Sequence, residues 1–217
     1  MSETLSAQDV AEGDAGRGAP RSKRGMRTRS ALVAAAREVF ERDGYLDARI
    51  SDISKAAGVA SGSFYTYFDS KDEIFAAVVE QVREEMLHPH VRQRTGIDDP
   101  RQLIAAANRE YLLSYRRNAR LMALLEQVSQ IDEKFQAMRY ERAMAFGERN
   151  TAMIRELQER GEVDPELDPW VTALALSNMV SRMAYTVFVQ REKITFEQLV
   201  DTLNRLWWNA LRLDPAG

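Results

Sequence analysis

Apolar residues recur at intervals of three and four positions through almost the whole sequence, and no segment alternates apolar and polar residues as a half-buried strand does. The first such segment contains Leu32, Ala35, Val39 and Phe40 and stops at Gly44. This spacing places the apolar side chains on one face of an α-helix. The sequence therefore predicts an all-α fold of about nine helices.

Two shorter helical segments follow, separated by a tight turn. The first begins near Ser51, a good N-cap residue, and ends at Gly58. The second begins near Ser61 or Gly62 and ends by Phe68. Two helices joined by a turn of roughly three or four residues that contains glycine form a helix-turn-helix. The sequence therefore predicts an N-terminal domain of three helices that ends in a helix-turn-helix.

Capping signals mark the longer helices that come next. Ser70 and Glu73 have the spacing of a capping box, as do Thr195 and Gln198. Asp168 stands before a proline at the first helical position, which also favours a helix start. Further helices are predicted near residues 100–116, 119–130, 132–160, 168–191 and 195–213.

Composition divides the chain into three parts. Residues 1–22 are rich in Gly, Ala, Ser and acidic residues, which predicts a disordered tail that ends in basic residues. Residues 23–72 contain the helix-turn-helix domain. Residues 73–217 form a larger helical domain, interrupted by the breaker-rich segment HPHVRQRTGIDDP.

The residue inventory excludes several classes of protein. The 217-residue chain contains no cysteine, which rules out disulfides, thiolate metal sites and a cysteine nucleophile. Its two histidines, His88 and His90, flank a proline without a third metal ligand nearby, and no phosphate-binding glycine motif occurs. No apolar run approaches the roughly 18 residues of a membrane span, and the N-terminus lacks the pattern of a signal peptide. We therefore expect a cytoplasmic protein without catalytic residues, metal or cofactor.

Four aromatic residues stand together in the stretch SGSFYTYFDSKDE. Phe64 and Phe68 are four positions apart, so they share one helix face and are predicted to lie in the core. Tyr65 lies away from that face and Tyr67 at its edge, where a phenol hydroxyl suits a hydrogen bond to phosphate. The small residues that precede Phe64 keep the helix start thin enough to enter a major groove.

A basic run precedes the first helix. It contains six cations and no acidic residue, although the whole chain has a net charge of −3. Such a run either is a solvated tail or supplies attraction to nucleic-acid phosphates that does not depend on base sequence. Its cations are Arg17, Arg21, Lys23, Arg24, Arg27 and Arg29.

The segment RTRSALVAAAREVFERDGYLDARISDISKAAGVASGSFYTYFDSKDEIF, residues 27–75, resembles the DNA-binding domain of TetR-family transcriptional regulators nearly position by position. The remainder resembles that family only in being helical and of suitable length. The segment departs from the family pattern at Ser51, where threonine is common, and at Ala60-Ser61, where many members have Ser-Lys or Ser-Pro.

The resemblance implies how this domain contacts operator DNA. Ser51 is expected to cap its helix and contact a phosphate, while the small residues of the third helix face base edges. The other residues are expected to meet phosphates or, for the cations of the N-terminal arm, the minor groove. The full set of expected DNA-binding residues is Arg24, Arg27, Arg49, Ser51, Ser61, Gly62, Ser63, Tyr65, Tyr67 and Lys71.

The resemblance also implies that the C-terminal domain binds a small molecule and forms a homodimer through the last two helices. A two-fold dimer would place two reading helices about 34 Å apart, one turn of palindromic operator DNA. The apolar residues of these two helices are equally consistent with an ordinary core. The expected dimer residues begin with Trp170, Leu174, Leu176, Met179, Val180, Met183 and Val187, and continue with Phe196, Leu199, Leu203, Leu206, Trp207, Leu211 and Leu213.

Methionine and aromatic side chains of the C-terminal domain are the candidates for an effector site, because methionine adapts to varied ligands. The expected effector is hydrophobic, with a fatty acid or its coenzyme A thioester as the family example. Polar residues within the apolar segments, Arg142, Asn178 and Arg182, are either ligand contacts or surface residues. The candidate ligand-binding residues are Tyr111, Tyr115, Met122, Leu125, Phe146, Met179 and Met183, with Met153 and Phe188 as further candidates.

The sequence-based interpretation is a homodimeric repressor that a hydrophobic small molecule releases from its operator. One alternative is a DNA-binding dimer that has no effector. Another is a helical ligand-binding or enzymatic protein with a vestigial helix-turn-helix, but Tyr65, Tyr67, Lys71 and the basic run argue against it.

Overall fold

The computed structural model describes residues 22–87 and 98–213, and these two ranges contain nine α-helices and no β-strand. The all-α prediction is therefore confirmed. The predicted disordered tail before Ser22 and both histidines lie outside the described residues. The helices are α1 (Lys23–Asp47), α2 (Ile50–Ala56), α3 (Ser61–Phe64), α4 (Lys71–Leu87), α5 (Pro100–Arg117), α6 (Ala119–Val128), α7 (Glu133–Glu159), α8 (Pro169–Phe188) and α9 (Phe196–Leu211).

Helix α1 begins earlier than the apolar pattern suggested. The Ser22 hydroxyl accepts a hydrogen bond from the Gly25 amide at 3.1 Å and caps the helix in front of Lys23. Arg24 and Arg27, expected in the N-terminal arm, therefore lie on the first turns of α1. Gly44, with φ 82° and ψ 175°, interrupts the helix near its predicted end.

The boundaries of α2 and α3 differ in detail from the prediction. Arg49 is the N-cap residue of α2 and makes no side-chain cap bond, so Ser51 is not the cap but lies in the first turn. Helix α3 ends at Phe64, and a turn carries the chain onward until the Phe68 amide donates to the Phe64 carbonyl at 3.1 Å. Gly58, with φ 68°, makes the turn between the two helices.

The first three helices and the start of α4 enclose an aromatic core. Phe40, Ile53, Phe64 and Phe75 are fully buried, and Phe68 is 1% exposed. The predicted inward placement of Phe64 and Phe68 is therefore confirmed. Burial of large apolar side chains of this size stabilises the domain by roughly 1.5–3 kcal/mol for each side chain.

The start of α4 is fastened to the end of α1. Ser70 accepts from the Glu73 amide at 3.1 Å, as the capping box predicted, but the Glu73 carboxylate accepts from the Asp69 amide at 2.6 Å instead of from Ser70. The Tyr45 hydroxyl donates to the Asp72 carboxylate. The Tyr45 ring also packs edge-on against Phe135 of α7, so this junction joins the helix-turn-helix to the larger set of helices.

The larger domain is built around the long helices α7 and α8. A Cβ atom at Gly147 of α7 would lie 2.9 Å from Leu174 Cδ2 of α8, which shows how closely the two helices approach. Helix α9 covers α5, where the buried amides of Asn108 and Asn204 are hydrogen-bonded at 3.0 Å. The predicted starts of α8 and α9 are confirmed, since Asp168 caps α8 and the capping box at Thr195 is complete.

Candidate DNA-binding surface and effector cavities

The leading edge of α3 is small and open. Ser61 and Gly62 are exposed and Ser63 is half-buried. A Cβ atom placed on Gly62 would meet no atom within 4 Å, so the protein's own packing does not require glycine there. This edge leaves room for another molecule to approach the backbone closely.

The two tyrosines that follow α3 occupy different environments, as their spacing predicted. Tyr65 is 51% exposed, with its ring edge-on to Phe64 at 5.4 Å between centroids. Tyr67 is half-buried and packs against the hydrophobic core. Tyr65 therefore lies on the surface beside the edge of α3, while Tyr67 is held more rigidly by its packing.

The helices before α3 carry exposed cations. Arg24 and Arg27 on α1 and Arg49 before α2 are exposed and form no ion pair with any described residue. Arg29 differs, because its guanidinium lies 4.8 Å from the centre of the Phe68 ring. Three unneutralised guanidinium groups give the helix-turn-helix a positive surface despite the net negative charge of the chain.

Lys71 has a structural position that the sequence did not indicate. Its ammonium donates to the backbone oxygens of Tyr45 at 2.8 Å and Leu46 at 3.0 Å. The first turn of α4 already carries the acidic residues Asp72 and Glu73, which suit the positive end of the helix dipole. Lys71 therefore fastens α1 to α4, and only its third N–H remains for a phosphate.

Two adjoining cavities lie within the larger domain. The first has a volume of about 50 Å³ and the second about 190 Å³, and Arg142, Asn178 and Ser181 line both. The first is otherwise lined by Ala107, Asn108, Tyr111, Ala143, Phe146, Arg149, Asn150, Ser177, Val180 and Trp207. The second is otherwise lined by Tyr115, Met122, Leu125, Glu126, Arg139, Arg182 and Tyr185.

The structure brings most of the predicted ligand-binding residues to these cavities. Tyr111 and Phe146 line the first cavity, and the second contains three more, Tyr115, Met122 and Leu125. The placement of the remaining two is wrong: Met179 and Met183 line neither cavity and instead pack half-buried against the hydrophobic core. Met153 and Phe188 also lie outside both walls.

On α8 most of the residues that line the cavities are polar, among them Ser177, Asn178 and Ser181, and the two methionines line neither cavity. The walls are therefore more polar than the expected hydrophobic effector implied.

Arg142 is the residue whose importance the sequence left undecided. It is 9% exposed and stands on α7 in line with the buried residues Phe135, Phe146 and Met153. An arginine at a position of the apolar stripe is the signal that identifies it. Its Nη1 lies 3.9 Å from Met86 Sδ of α4, which connects the cavity wall to the helix that follows the DNA-binding domain.

The charges around the second cavity are partly paired. Arg139 lies 3.2 Å from the Glu126 carboxylate, and Arg182 lies over the Tyr185 ring at 5.1 Å from its centre. Burial raises the pKa of Tyr115 above its ordinary value, with a smaller contribution from Tyr111, while the positive charge of Arg142 acts in the opposite direction. Tyr115 is therefore a neutral hydroxyl at physiological pH.

Comparison with known proteins decides the family. Residues 32–78, from α1 into α4, match the family model described as bacterial regulatory proteins, tetR family. This part of the chain is therefore a DNA-binding domain of the TetR family of transcriptional regulators. The matched residues contain the whole helix-turn-helix with its exposed α3 edge.

Two bacterial transcriptional regulators resemble the chain over different lengths. It is 39% identical over 72 residues to the HTH-type transcriptional regulator YdgC of Bacillus subtilis, a match that covers 33% of this chain and 34% of YdgC. It is 25% identical over 205 residues to the HTH-type transcriptional regulator TtgR of Pseudomonas putida, covering 87% of this chain and 93% of TtgR. The first match therefore spans only about a third of the relative.

A solved structure extends the similarity in fold to most of the chain. The transcriptional regulator FadR from Bacillus subtilis, in complex with stearoyl-CoA, superposes with a TM-score of 0.73 at 18% identity. That superposition covers 83% of this chain and 98% of FadR. It shows that the similarity in fold continues through the C-terminal helices.

The exposed side of the last two helices carries isolated apolar residues. Val171 of α8 is 63% exposed and Leu206 of α9 is 45% exposed. Most of the other apolar residues predicted for the dimer interface are buried or half-buried within the chain, so they serve its own core.

Two further features of the described residues bear on function. They include no cluster of three or more residues able to hold a metal ion. Among the same residues, no helix is long and apolar enough to cross a membrane.

Proposed function

We propose that this TetR-family regulator is a homodimeric repressor that binds a palindromic operator and is released by a small molecule bound in its cavities. The exposed edge of α3 is the observation that carries the proposal. It combines small residues, open space at Gly62 and unpaired cations on the neighbouring helices, the features of a helix that enters a major groove.

In this proposal Ser61, Gly62 and Ser63 face the base edges, where few bidentate contacts are available to such small side chains. Part of the specificity then comes from the shape and deformability of the operator. The remaining DNA-binding residues position the domain on phosphates. These are Arg24, Arg27, Arg49, Ser51, Tyr65, Tyr67 and Lys71.

The homodimer forms through α8 and α9. The exposure of Val171 and Leu206 supports this assignment, because a partner helix pair would remove both side chains from water. A two-fold axis through these helices would separate two α3 edges by about 34 Å, one turn of DNA.

The effector binds in the adjoining cavities lined by α5, α6, α7, α8 and α9. The stearoyl-CoA held by the Bacillus subtilis FadR supports a ligand site in a protein of this fold. The contact between Arg142 and Met86 gives the ligand a route to α4 and hence to the spacing of the two reading helices. Release requires that the ligand bind the DNA-free conformation more tightly than the DNA-bound one.

A second candidate function is a DNA-binding dimer without an effector. The small size of the first cavity, about 50 Å³, favours it, because a well-packed core needs no ligand.

One experiment tests the proposal and separates the two candidates. Operator sequences are first selected from fragmented genomic DNA with the purified full-length protein. A panel of small molecules is then screened for thermal stabilisation and for release of the selected operator. A compound that does both supports effector-controlled repression. Operator binding that no stabilising compound reverses supports the second candidate, and failure to select any operator contradicts both.

A further inference from the structure

Arg142 is a buried cation without a counter-ion. It is 9% exposed, its Nε has no hydrogen-bond partner, and no carboxylate of the described residues lies within 4.0 Å of it. The one polar contact of its guanidinium within the described chain is Nη1 to the thioether of Met86 at 3.9 Å, a weak acceptor. Burying a guanidinium on these terms costs free energy that the rest of the fold must offset.

A second unpartnered donor lines the same cavity. Trp207 of α9 is 2% exposed, its indole Nε1 has no hydrogen-bond partner among the described residues, and it stands in the wall of the 50 Å³ cavity with Arg142. The carboxamides of Asn108 and Asn150 are already engaged, since Asn108 donates to Asn204 and Asn150 donates to Ser177. Arg142 and Trp207 can donate hydrogen bonds but cannot accept them, so a matching ligand must supply acceptors.

The ionisable residues that line the second cavity do not neutralise the charge of Arg142. Glu126 is paired with Arg139 at 3.2 Å and lines the 190 Å³ cavity. Tyr115 faces the positive charge of Arg142 as a neutral phenol. Arg142 is therefore a buried and unneutralised charge that lines both cavities, whereas Arg182 of the second cavity is exposed to solvent.

We propose that the effector is a small organic carboxylate whose acid group binds Arg142 and whose apolar body occupies the larger cavity. This inference rests on the proposed effector site and names its ligand class. A cavity of about 150 Å³ is large enough for benzene, so the 190 Å³ cavity has the volume for a group of phenyl or branched-alkyl size against the less polar part of its wall. Tyr115, Met122 and Leu125 supply the contacts for that group.

The acid group performs two tasks in this arrangement. It provides the charge-assisted hydrogen bonds that the Arg142 guanidinium lacks, with the geometry that arginine offers a carboxylate. It also draws the guanidinium into a new set of contacts, which changes the packing of Arg142 against Met86 on α4. The binding of the acid and the release of DNA are thereby connected through the side chain of Arg142.

The test uses matched acids and amides on the full-length protein. Benzoate, phenylacetate and octanoate are compared with benzamide, phenylacetamide and octanamide by calorimetry and thermal shift, in the absence of DNA. At least one acid is expected to bind about tenfold or more tightly than its amide. Equal binding of every acid and its amide, or no binding by any of the acids, overturns the inference.

Two variants locate the interaction. Arg142→Met is expected to lose about tenfold or more of the acid affinity while keeping or raising the melting temperature, because an unpaired buried charge is removed. The control is the double variant Arg139→Gln with Glu126→Gln, which removes the neutral ion pair from the same cavity and leaves Arg142 in place. Retention of acid binding by Arg142→Met, or a greater loss in the control than in Arg142→Met, contradicts the assignment. The acid–amide comparison stands even where a variant does not fold.

Operator release is measured separately with the acid that binds best. Acid binding without operator release supports the ligand class named here and contradicts effector-controlled repression. Operator release by compounds that carry no acid group supports the proposed function and overturns the inference.

Discussion

The Nζ atom of Lys71 donates a hydrogen bond to the backbone oxygen of Tyr45 over 2.8 Å, which joins the first residue of α4 to the last turns of α1. The same ammonium also lies 4.8 Å from the centre of the Tyr45 ring. A residue at a position associated with phosphate contact therefore also holds together the two helices that carry the helix-turn-helix.

We expect Lys71→Met to lower the free energy of unfolding by about 1–2 kcal/mol, because hydrogen bonds from a charged group are lost from a half-buried site. Urea unfolding measures this change. The control is Lys55→Met on α2, whose side chain is exposed and makes no ion pair with the described residues. Equal stabilities of the two variants would show that the contact with Tyr45 contributes nothing.

Substitution of Gly62 separates folding from DNA binding. Gly62→Ala places a methyl group where no atom lies within 4 Å, so the variant is expected to be as stable as the wild type or slightly more stable. Its operator affinity is expected to fall by about tenfold, because a major-groove surface leaves no such room once DNA is bound. Thermal unfolding and fluorescence anisotropy measure the two effects. Unchanged affinity would remove this edge of α3 from the DNA interface.

The dimer assignment predicts a specific effect of a surface charge. Val171→Arg is expected to convert the dimer to a monomer, because an interface cannot bury an unpaired guanidinium without a large cost. Ile131→Arg is the matched control, since Ile131 is 76% exposed and lies outside α8 and α9. Light scattering after size exclusion gives the mass of each variant. Monomer formation by both variants, or by neither, would contradict an interface at Val171.

The raised pKa of Tyr115 predicts a loss of stability in alkaline solution. The folded protein keeps the Tyr115 phenol proton that the unfolded chain releases near pH 10. The contribution of this tyrosine to the free energy of unfolding is therefore complete below pH 10 and is lost as the pH rises above it. The slope for one such tyrosine approaches about 1.4 kcal/mol per pH unit. Urea unfolding between pH 8 and 11 should therefore show a shallower decline for Tyr115→Phe than for the wild type.

Tyr140→Phe serves as the control for this measurement, because Tyr140 is 64% exposed. It should follow the wild-type curve. Identical slopes for Tyr115→Phe and the wild type would show that burial does not hold the phenol in its neutral form.

The helices and their starts could be predicted from the sequence because the relevant signals are local. The capping box at Thr195 and the cap at Asp168 satisfy backbone amides within three residues of themselves, so their spacing alone predicts the helix starts. The division between Phe64 and Tyr65 also follows from helical spacing. These features were confirmed because tertiary contacts do not compete with them.

The structure differs from the sequence-based prediction at positions where contacts between helices determine the local arrangement. Ser51 is a better cap than Arg49 by local preference, but the chain turns into α2 at Arg49, before it reaches Ser51. Methionine is a residue type suited to a ligand site, which is why Met179 and Met183 were expected there. Which residues of α8 line the cavities depends on how α8 packs against α7, and most of them are polar. The lack of a carboxylate beside Arg142 likewise depends on how the helices pack, so it cannot be predicted from the spacing of residues in the sequence.

The proposed function depends on the binding of operator DNA by the α3 edge and its flanking tyrosines. The decisive measurement is the affinity of the wild type and of Tyr67→Ala for the selected operator and for a scrambled duplex of equal composition, by fluorescence anisotropy at one fixed salt concentration. We expect the wild type to prefer the operator by about 10³-fold or more, and a folded Tyr67→Ala to bind both duplexes more weakly by a similar factor. Equal wild-type affinity for the two duplexes, or normal operator binding by Tyr67→Ala, would rule out this binding mode.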